Sequence, residues 1–137
     1  MNKIIKVAMI DDNPTVLAVN FAMLKKTNAL TPDDQFDAYK NPTDFFAVTK
    51  ENNVNYYDVI IVDYDLGPDN MKGLEIISGM IKQGFTGKAV LLTGNDSAGL
   101  GMKMMMLPNI DYAIKNISTG EKSTIAILAK AIERARF

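Results

Sequence analysis

Short apolar runs recur along the chain and alternate with segments of helical periodicity. The clearest runs are residues 4–10, 58–62, 89–92 and 111–114, and a weaker run surrounds residues 36–39. Strands buried on both faces give near-continuous apolar runs of this kind, because helices cover both sides of a parallel sheet. The runs are therefore predicted to be five strands of a parallel sheet, each followed by a helical segment.

The helical segments carry signals for where each helix begins and ends. Asn13-Pro14 and Asn41-Pro42 each pair an N-cap residue with a proline at the first helical position. Gly84 is a candidate terminator of the third helix, and Ser118 with Glu121 has capping-box spacing before the last helix. The apolar positions that form one face of each predicted helix are Leu17, Phe21 and Leu24; Phe45 and Phe46; Leu74, Ile77, Met80 and Ile81; and Ile125, Leu128 and Ile132.

A fourth helix is predicted over residues 97–106, before Pro108, so that five strands and five helices alternate. Right-handed crossovers between parallel strands place such helices on both faces of the sheet. The predicted fold is therefore α/β, a doubly wound five-stranded parallel sheet of (βα)5 type. A chain of 137 residues without an internal repeat or linker fits one domain, residues 1–137.

Polar side chains stand where the apolar runs stop. Asp11 and Asp12 follow the first run, Asp63 follows the third, Thr93 the fourth and Lys115 the fifth. Taken singly, each residue has an ordinary structural explanation as a turn former, a helix cap or a solvated strand end. Ligands of doubly wound sheets, however, bind outside the carboxyl ends of the strands, where these five residues would converge. We therefore expect a functional cleft at this edge.

Composition limits the chemistry that this cleft can perform. The chain has no cysteine and no histidine, which excludes disulfides, thiolate or imidazole metal sites, and Ser–His or Cys–His catalysis. The net charge of −1 gives no electrostatic case for direct nucleic-acid binding, and Lys130, Arg134 and Arg136 near the end are interpreted as a solvated face. The longest apolar run, residues 125–129, is too short to cross a membrane. A cytoplasmic location is the default expectation.

Clustered carboxylates disfavour one another's ionisation unless a cation offsets their charge. Mg2+ fits this requirement, because it prefers oxygen ligands and is commonly held by carboxylates together with water and phosphate oxygens. A lysine and a hydroxyl beside such a site suit phosphoryl transfer, which depends on positioning and charge neutralisation. An aspartate can itself be the nucleophile and become an aspartyl phosphate. Asp63, at the end of the predicted central strand, is the best placed acid for that role.

Four segments, in this order and spacing, resemble the receiver domain of two-component response regulators. They are MIDDNP (residues 9–14), VIIVDYDLGP…GLE (residues 59–75), VLLTGN (residues 90–95) and DYAIK (residues 111–115). The resemblance covers essentially the whole chain, and each motif lies at a predicted strand end. It implies a chemotaxis-receiver-like, flavodoxin-like fold with strand order 2-1-3-4-5.

The resemblance implies a phospho-acceptor with a metal site beside it. Asp63 would take a phosphoryl group from a partner histidine kinase or phosphotransfer protein. Asp11, Asp12 and Asp63 would hold Mg2+, and the backbone carbonyl of Asp65 would complete the site. The chain would then be a signalling protein and not an enzyme, with self-phosphorylation and self-dephosphorylation as its only chemistry.

The resemblance also implies a switch that responds to the new charge. Lys115 would bind the phosphoryl group, and Thr93 would move to hydrogen-bond it. Tyr112 matches the family's aromatic switch position, although a strand aromatic that packs on a helix is an equally good explanation. The surface that changes would be formed by the fourth helix, fifth strand and fifth helix, where the methionines of residues 101–108 lie and where a homodimer could form.

Two features depart from the family pattern. The family usually has a proline after the conserved lysine, with a cis bond between them, whereas this chain has Asn116. A cis bond to a non-proline residue costs about 3 kcal/mol. The peptide bond after Lys115 is therefore expected to be either trans or strained, and the family's orientation of the lysine does not carry over directly to this chain. The loop from Asp63 to Gly73 is also longer than usual, with GPDN at residues 67–70.

Two other functions stay open. A magnesium-dependent phosphohydrolase of the haloacid-dehalogenase type has motifs similar to DYDLG at residues 63–67, LLTGN at residues 91–95 and a later lysine. Its last motif is an acidic pair beyond the lysine, whereas only Glu121 and Glu133 follow Lys115 here. A pseudo-receiver that binds partners without phosphate is the other alternative. Asn116 favours it, and the intact acids argue against it.

Overall fold

One parallel sheet carries the described part of the chain. The computed structural model describes residues 3–68, 70–94, 110–115, 120 and 123–137. Its elements are β1 (Lys6–Ile10), α1 (Pro14–Lys26), β2 (Gln35–Tyr39), α2 (Pro42–Glu51), β3 (Val59–Asp63), α3 (Gly73–Lys82), β4 (Lys88–Thr93), β5 (Ile110–Ile114) and α4 (Thr124–Arg136). The strands are parallel in the order β2-β1-β3-β4-β5. The predicted fold class and the strand order implied by the resemblance are confirmed.

The label α4 denotes the last helix, which is the fifth of those predicted from the sequence. The helix predicted over residues 97–106 lies outside the described residues. Among the helices that the structure describes, none is long and apolar enough to cross a bilayer.

Two of the predicted helix starts come from asparagine–proline pairs. Asn13 Oδ1 accepts a hydrogen bond from the backbone N–H of Thr15 at 2.9 Å, and Asn41 Oδ1 accepts one from Asp44 at 3.0 Å. The proline that follows each asparagine lies in the first turn, where its missing N–H removes no helical hydrogen bond. Both predicted starts are confirmed.

The end of α3 and the start of α4 are also set by local hydrogen bonds. Gly84 has a φ of +103° and donates its N–H to the Ile81 carbonyl at 3.0 Å, so the predicted glycine terminator is confirmed. Ser123 is the N-cap of α4, and its Oγ accepts a hydrogen bond from the N–H of Ala126 at 3.2 Å. The predicted capping-box pair at positions 118 and 121 lies outside the described residues.

Apolar side chains form one core on each face of the sheet. One core packs β-strand residues against α2 and α3, and it includes Ile10, Phe45, Ile60, Val62, Ile76, Ile77 and Met80. The other packs the opposite face against α1 and α4, and it includes Met9, Leu17, Leu24, Ile61, Leu92, Leu128 and Ile132. All five residues of β3 are buried, as a central strand covered on both faces requires.

Arg136, in the last turn of α4, does not belong to a solvated face. Its guanidinium binds both carboxylate oxygens of Asp34, at 2.7 and 3.0 Å, and donates to the backbone carbonyls of Lys3 and Ala29, at 2.9 Å each. Burial raises the pKa of Asp34, but hydrogen bonds from Arg136 and from two backbone N–H groups outweigh it and hold that pKa well below its usual value. The sequence-based interpretation of Arg136 was therefore wrong, because contacts distant in sequence decide its environment.

Gly73, the first residue of α3, lies directly against the end of β3. A Cβ at this position would lie 2.2 Å from the carbonyl oxygen of Asp63 and 3.0 Å from a methyl carbon of Leu91. Its N–H also donates to the carbonyl of Tyr64 at 2.8 Å. The lack of a side chain therefore allows α3 to begin against the strand that ends in Asp63.

Replacement of Gly73 by alanine is expected to destabilise the protein. The new methyl group would overlap a backbone oxygen that cannot move independently, so Gly73→Ala should lower the free energy of unfolding by about 1–3 kcal/mol. Gly79→Ala is the matched control in the same helix, since no atom lies within 4 Å of a Cβ placed there. That variant should gain about 0.5–1 kcal/mol. Urea unfolding followed by circular dichroism measures both, and equal stability of the two variants would contradict the packing argument.

Candidate functional site

Three aspartates meet at the carboxyl edge of the sheet. Asp11 and Asp12 follow β1, and Asp63 ends β3. Ile10 pairs with Val62 in the β1–β3 register, so Asp11 and Asp63 extend adjacent strands side by side. One oxygen from each of the three carboxylates lies within 4.8 Å of the others. The cluster lies where the strand order reverses, because β2 pairs with the other side of β1.

Asp11 is fully buried and has one oxygen in an unusual position. Its Oδ1 accepts the N–H of Asn13 at 2.9 Å. Its Oδ2 is also buried and has no hydrogen-bond partner among the residues described. The Nζ of Lys115 lies 3.0 Å from Oδ2, an ion pair outside hydrogen-bond geometry. Buried polar atoms in proteins are nearly always hydrogen-bonded, so this oxygen is suited to a further ligand.

Lys115 joins the two buried carboxylates. Its Nζ lies 3.0 Å from Asp63 Oδ2 as well as 3.0 Å from Asp11 Oδ2, and its side chain is 24% exposed. Burial lowers the pKa of Lys115, but the two carboxylates outweigh it and raise that pKa above its ordinary value. The lysine is therefore a permanent cation at neutral pH, and it offsets part of the negative charge of the cluster.

Asp63 is a carboxylate in an unfavourable environment. Burial is the largest influence and raises its pKa, and the negative charge of Asp11 acts in the same direction. Lys115 and the backbone N–H of Asp65 oppose that shift and do not cancel it. Additional positive charge beside Asp63 would favour its ionised, nucleophilic form.

The carboxylate cluster fits a hard divalent cation. An octahedral Mg2+ with ligands at about 2.1 Å keeps neighbouring oxygens about 3 Å and opposite oxygens about 4.2 Å apart, and the oxygens of this cluster lie within 4.8 Å of one another. Asp12 is exposed while Asp11 and Asp63 are buried, so water can complete the coordination from the solvent side.

The side chain of Asp65 lies outside the cluster. It is 69% exposed, and its Oδ1 accepts the N–H of Gly67 at 3.1 Å and pairs with Lys72 Nζ at 3.3 Å. These contacts hold the carboxylate away from the three acids. The metal-binding role predicted for the backbone carbonyl of Asp65 stays a prediction.

Thr93 and Tyr112 lie on the strands next to the cluster. Thr93 is 4% exposed at the end of β4, and the residue before it, Leu92, pairs with Asp63. Its backbone carbonyl accepts the N–H of Lys115 at 2.9 Å. Tyr112 is half-buried and packs against the core beside α2 and α3. That packing matches the structural explanation of the tyrosine, and the switch roles of both residues stay predictions.

The long loop between β3 and α3 lies beside the cluster. Gly67 has a φ of +100°, and a Cβ built on it would lie 4.0 Å from Asp12 Oδ2. Leu66 is buried in the core at 1% exposure, and its carbonyl accepts the side-chain amide of Asn70 at 2.8 Å. Leu66 therefore fixes the start of this loop in the core, and Gly67 lies next to Asp12.

Known structures share this fold, although their sequences differ. No family model and no curated protein matches the sequence. The chemotaxis protein CheY4 of Vibrio cholerae matches with a TM-score of 0.71 and 17% identity, over 97% of this chain and 99% of that one. A receiver domain protein of Clostridium thermocellum matches with a TM-score of 0.74 and 22% identity, over 96% and 94%. The BeF3-activated receiver domain of DrrB, from Thermotoga maritima, matches with a TM-score of 0.72 and 20% identity, over 97% of each chain.

These matches establish the fold. The chain is a doubly wound sheet of the CheY-like type found in the receiver domains of response regulators, with which it aligns over nearly its whole length. At these identities the likeness does not extend to the chemistry, which has to be argued from the residues at the carboxyl edge.

Loss of the Lys115 charge is expected to destabilise the folded chain. Lys115→Met keeps much of the side-chain volume and leaves the buried Asp11 carboxylate uncompensated, which should cost about 3 kcal/mol at neutral pH. In the double variant with Asp11→Asn, one of the two buried charges that Lys115 offsets is gone, and part of that loss should be recovered. Lys88→Met is the control, because Lys88 is half-buried at the opposite edge of the sheet. Urea unfolding of the wild type, Lys115→Met, Asp11→Asn, the double variant and Lys88→Met measures the effect, and additive losses in the double variant would contradict the pairing.

Proposed function

We propose that residues 1–137 form a single receiver domain of two-component signalling. In this role Asp63 accepts a phosphoryl group from a histidine kinase or phosphotransfer protein in a Mg2+-dependent reaction. The observation that carries the proposal is the pair of buried acids, Asp11 and Asp63, bridged by Lys115 at 3.0 Å with Asp12 completing the cluster. The shared fold of response-regulator receiver domains supports it.

The residues of the site divide the chemistry among them. Asp11, Asp12 and Asp63 hold Mg2+, with the backbone carbonyl of Asp65 as a further ligand, and the ion when bound offsets the charge of the phosphoryl oxygens. An oxygen of Asp63 attacks the phosphorus of the donor as the bond from phosphorus to the donor's imidazole nitrogen breaks. Lys115 then binds an oxygen of the transferred phosphoryl group. Its ammonium already lies 3.0 Å from Asp63, the residue that carries this group.

The phosphoryl group acts on the rest of the domain through its charge. Thr93 moves to hydrogen-bond it, and Tyr112 responds on the neighbouring strand. The equilibrium between two conformations of one surface shifts as a result. That surface comprises the predicted fourth helix, β5 and α4, and it binds a downstream partner or a second copy of the chain. Direct contact with nucleic acid or membrane has no part in this function, which takes place in the cytoplasm.

Labelling by a small phosphodonor tests the acceptor. With acetyl phosphate and Mg2+, the wild type should gain one base- and hydroxylamine-labile phosphoryl group by mass spectrometry, and Asp63→Asn should gain none, because it lacks the nucleophilic carboxylate. Asp33→Asn, which removes an exposed acid remote from the cluster, should label normally. Equal labelling of Asp63→Asn would exclude Asp63 as acceptor. A folded wild type that never labels would favour a pseudo-receiver, and sustained turnover of a phosphoester would favour a phosphohydrolase.

Metal binding is tested without any phosphodonor. Mg2+ should raise the midpoint of thermal unfolding of the wild type, since a ligand that binds only the folded chain stabilises it by about 2.7 kcal/mol at one hundred times its dissociation constant. Asp11→Asn and Asp63→Asn should lose most of this shift, whereas Asp33→Asn should keep it. Addition of EDTA should reverse the shift. A shift of the same size in all four proteins would mean that Mg2+ binds elsewhere.

A further inference from the structure

The hydroxyl of Thr124 contacts the segment that carries Lys115. Thr124 is the first residue of α4, and its Oγ1 lies 3.0 Å from the carbonyl oxygen of Ile114 and 3.2 Å from that of Lys115. The single hydroxyl proton is therefore within hydrogen-bond distance of two carbonyls, that of the last residue of β5 and that of the residue after it. Ser123, the residue before it, already serves as the N-cap of the helix, so capping does not explain this contact.

The backbone of Lys115 is restrained from two sides. Its N–H donates to the carbonyl of Thr93 on β4 at 2.9 Å, and its carbonyl accepts from Thr124 on α4 at 3.2 Å. Without the Thr124 hydroxyl, the carbonyls of Ile114 and Lys115 would lose this contact with α4. The strand end that presents the lysine would then lose its hydrogen bond to α4 and keep the one to β4.

Restraint of this backbone matters because Lys115 acts at the far end of a long side chain. Its ammonium reaches past the end of β4 to lie between Asp63 on β3 and Asp11 after β1, at 3.0 Å from each. A lysine side chain has about 2 kcal/mol of rotamer entropy and no intrinsic preference for one such position. A small rotation of the backbone at its base therefore displaces the charge from both carboxylates.

We propose that Thr124 is a positioning residue for Lys115, an inference that rests on the proposed phospho-acceptor function. Its hydroxyl ties the end of β5 to the start of α4 and thereby fixes the direction in which the lysine leaves the backbone. The resembled family places a proline directly after the lysine, where this chain has Asn116. In this chain the hydroxyl of Thr124, at the start of α4, restrains the backbone carbonyls of Ile114 and Lys115.

Three variants separate positioning from a simple contribution to stability. Thr124→Val removes the hydroxyl and keeps the shape of the side chain, and Thr124→Ser keeps the hydroxyl. Ser123→Ala removes the N-cap of the same helix and is expected to cost about 1 kcal/mol, while it leaves the contacts to Ile114 and Lys115 in place. It is therefore the control for a destabilised helix start.

The first measurement is the rate constant of phosphorylation by acetyl phosphate at saturating Mg2+. Thr124→Val should be slowed by about 10- to 100-fold, the effect of misplacing a catalytic group by about 1 Å. Thr124→Ser should recover most of the rate, and Ser123→Ala should stay close to the wild type. Mg2+ affinity, measured by calorimetry, should not fall in Thr124→Val, because the metal ligands lie on other strands and a displaced ammonium competes less for Asp11 and Asp63.

The second measurement does not depend on phosphorylation. The side-chain 13Cε and 15Nζ NMR signals of Lys115 report its ion pairs, and they should shift in Thr124→Val and stay in place in Ser123→Ala. Unchanged signals and an unchanged rate in Thr124→Val would overturn the positioning role, as would equal effects of Thr124→Val and Ser123→Ala. If the wild type itself takes no phosphate, the proposed function fails, and the NMR signals alone decide the role of Thr124.

Discussion

The repulsion between carboxylates held at one sheet edge is the constraint on which the site depends. Asp11 is fully buried and Asp63 is 5% exposed, so solvent screens little of their mutual repulsion. The ammonium of Lys115, 3.0 Å from each, compensates part of it and leaves the pKa of Asp63 raised by burial and by Asp11. Further positive charge would stabilise these incompletely compensated carboxylates. This is a physical reason for metal binding and phosphoryl transfer to occur together.

The fold holds the repelling groups in place through contacts that involve no charge. The β1–β3 register pairs Ile10 with Val62, which sets the acids that follow side by side. All of β3 and the last four residues of β1 are buried by helices on the two faces, so the acids cannot separate without exposure of the core. Because Gly73 has no side chain, the start of α3 can lie directly against the carbonyl of Asp63.

Features that depend on local sequence could be predicted, and those that depend on distant contacts could not. The Asn13 and Asn41 helix starts and the Gly84 terminator are determined by neighbouring backbone groups, so the sequence was sufficient. The strand order came from family resemblance, since periodicity does not encode which strands pair. Arg136 was misread because its partner Asp34 lies 102 residues away, and the contact of Thr124 with β5 gave no signal because it depends on how α4 packs back against that strand.

The hydrogen bond from Arg136 to the carbonyl of Lys3 also has a practical consequence for engineering. It brings the first and last parts of the described chain together at the amino edge of the sheet, 2.9 Å apart at that contact. Strands of five residues separate this edge from the acidic one by about 16 Å. A fluorescent reporter or an affinity tag joined at either end would therefore leave the domain from the same corner, clear of the surface that a phosphodonor must reach.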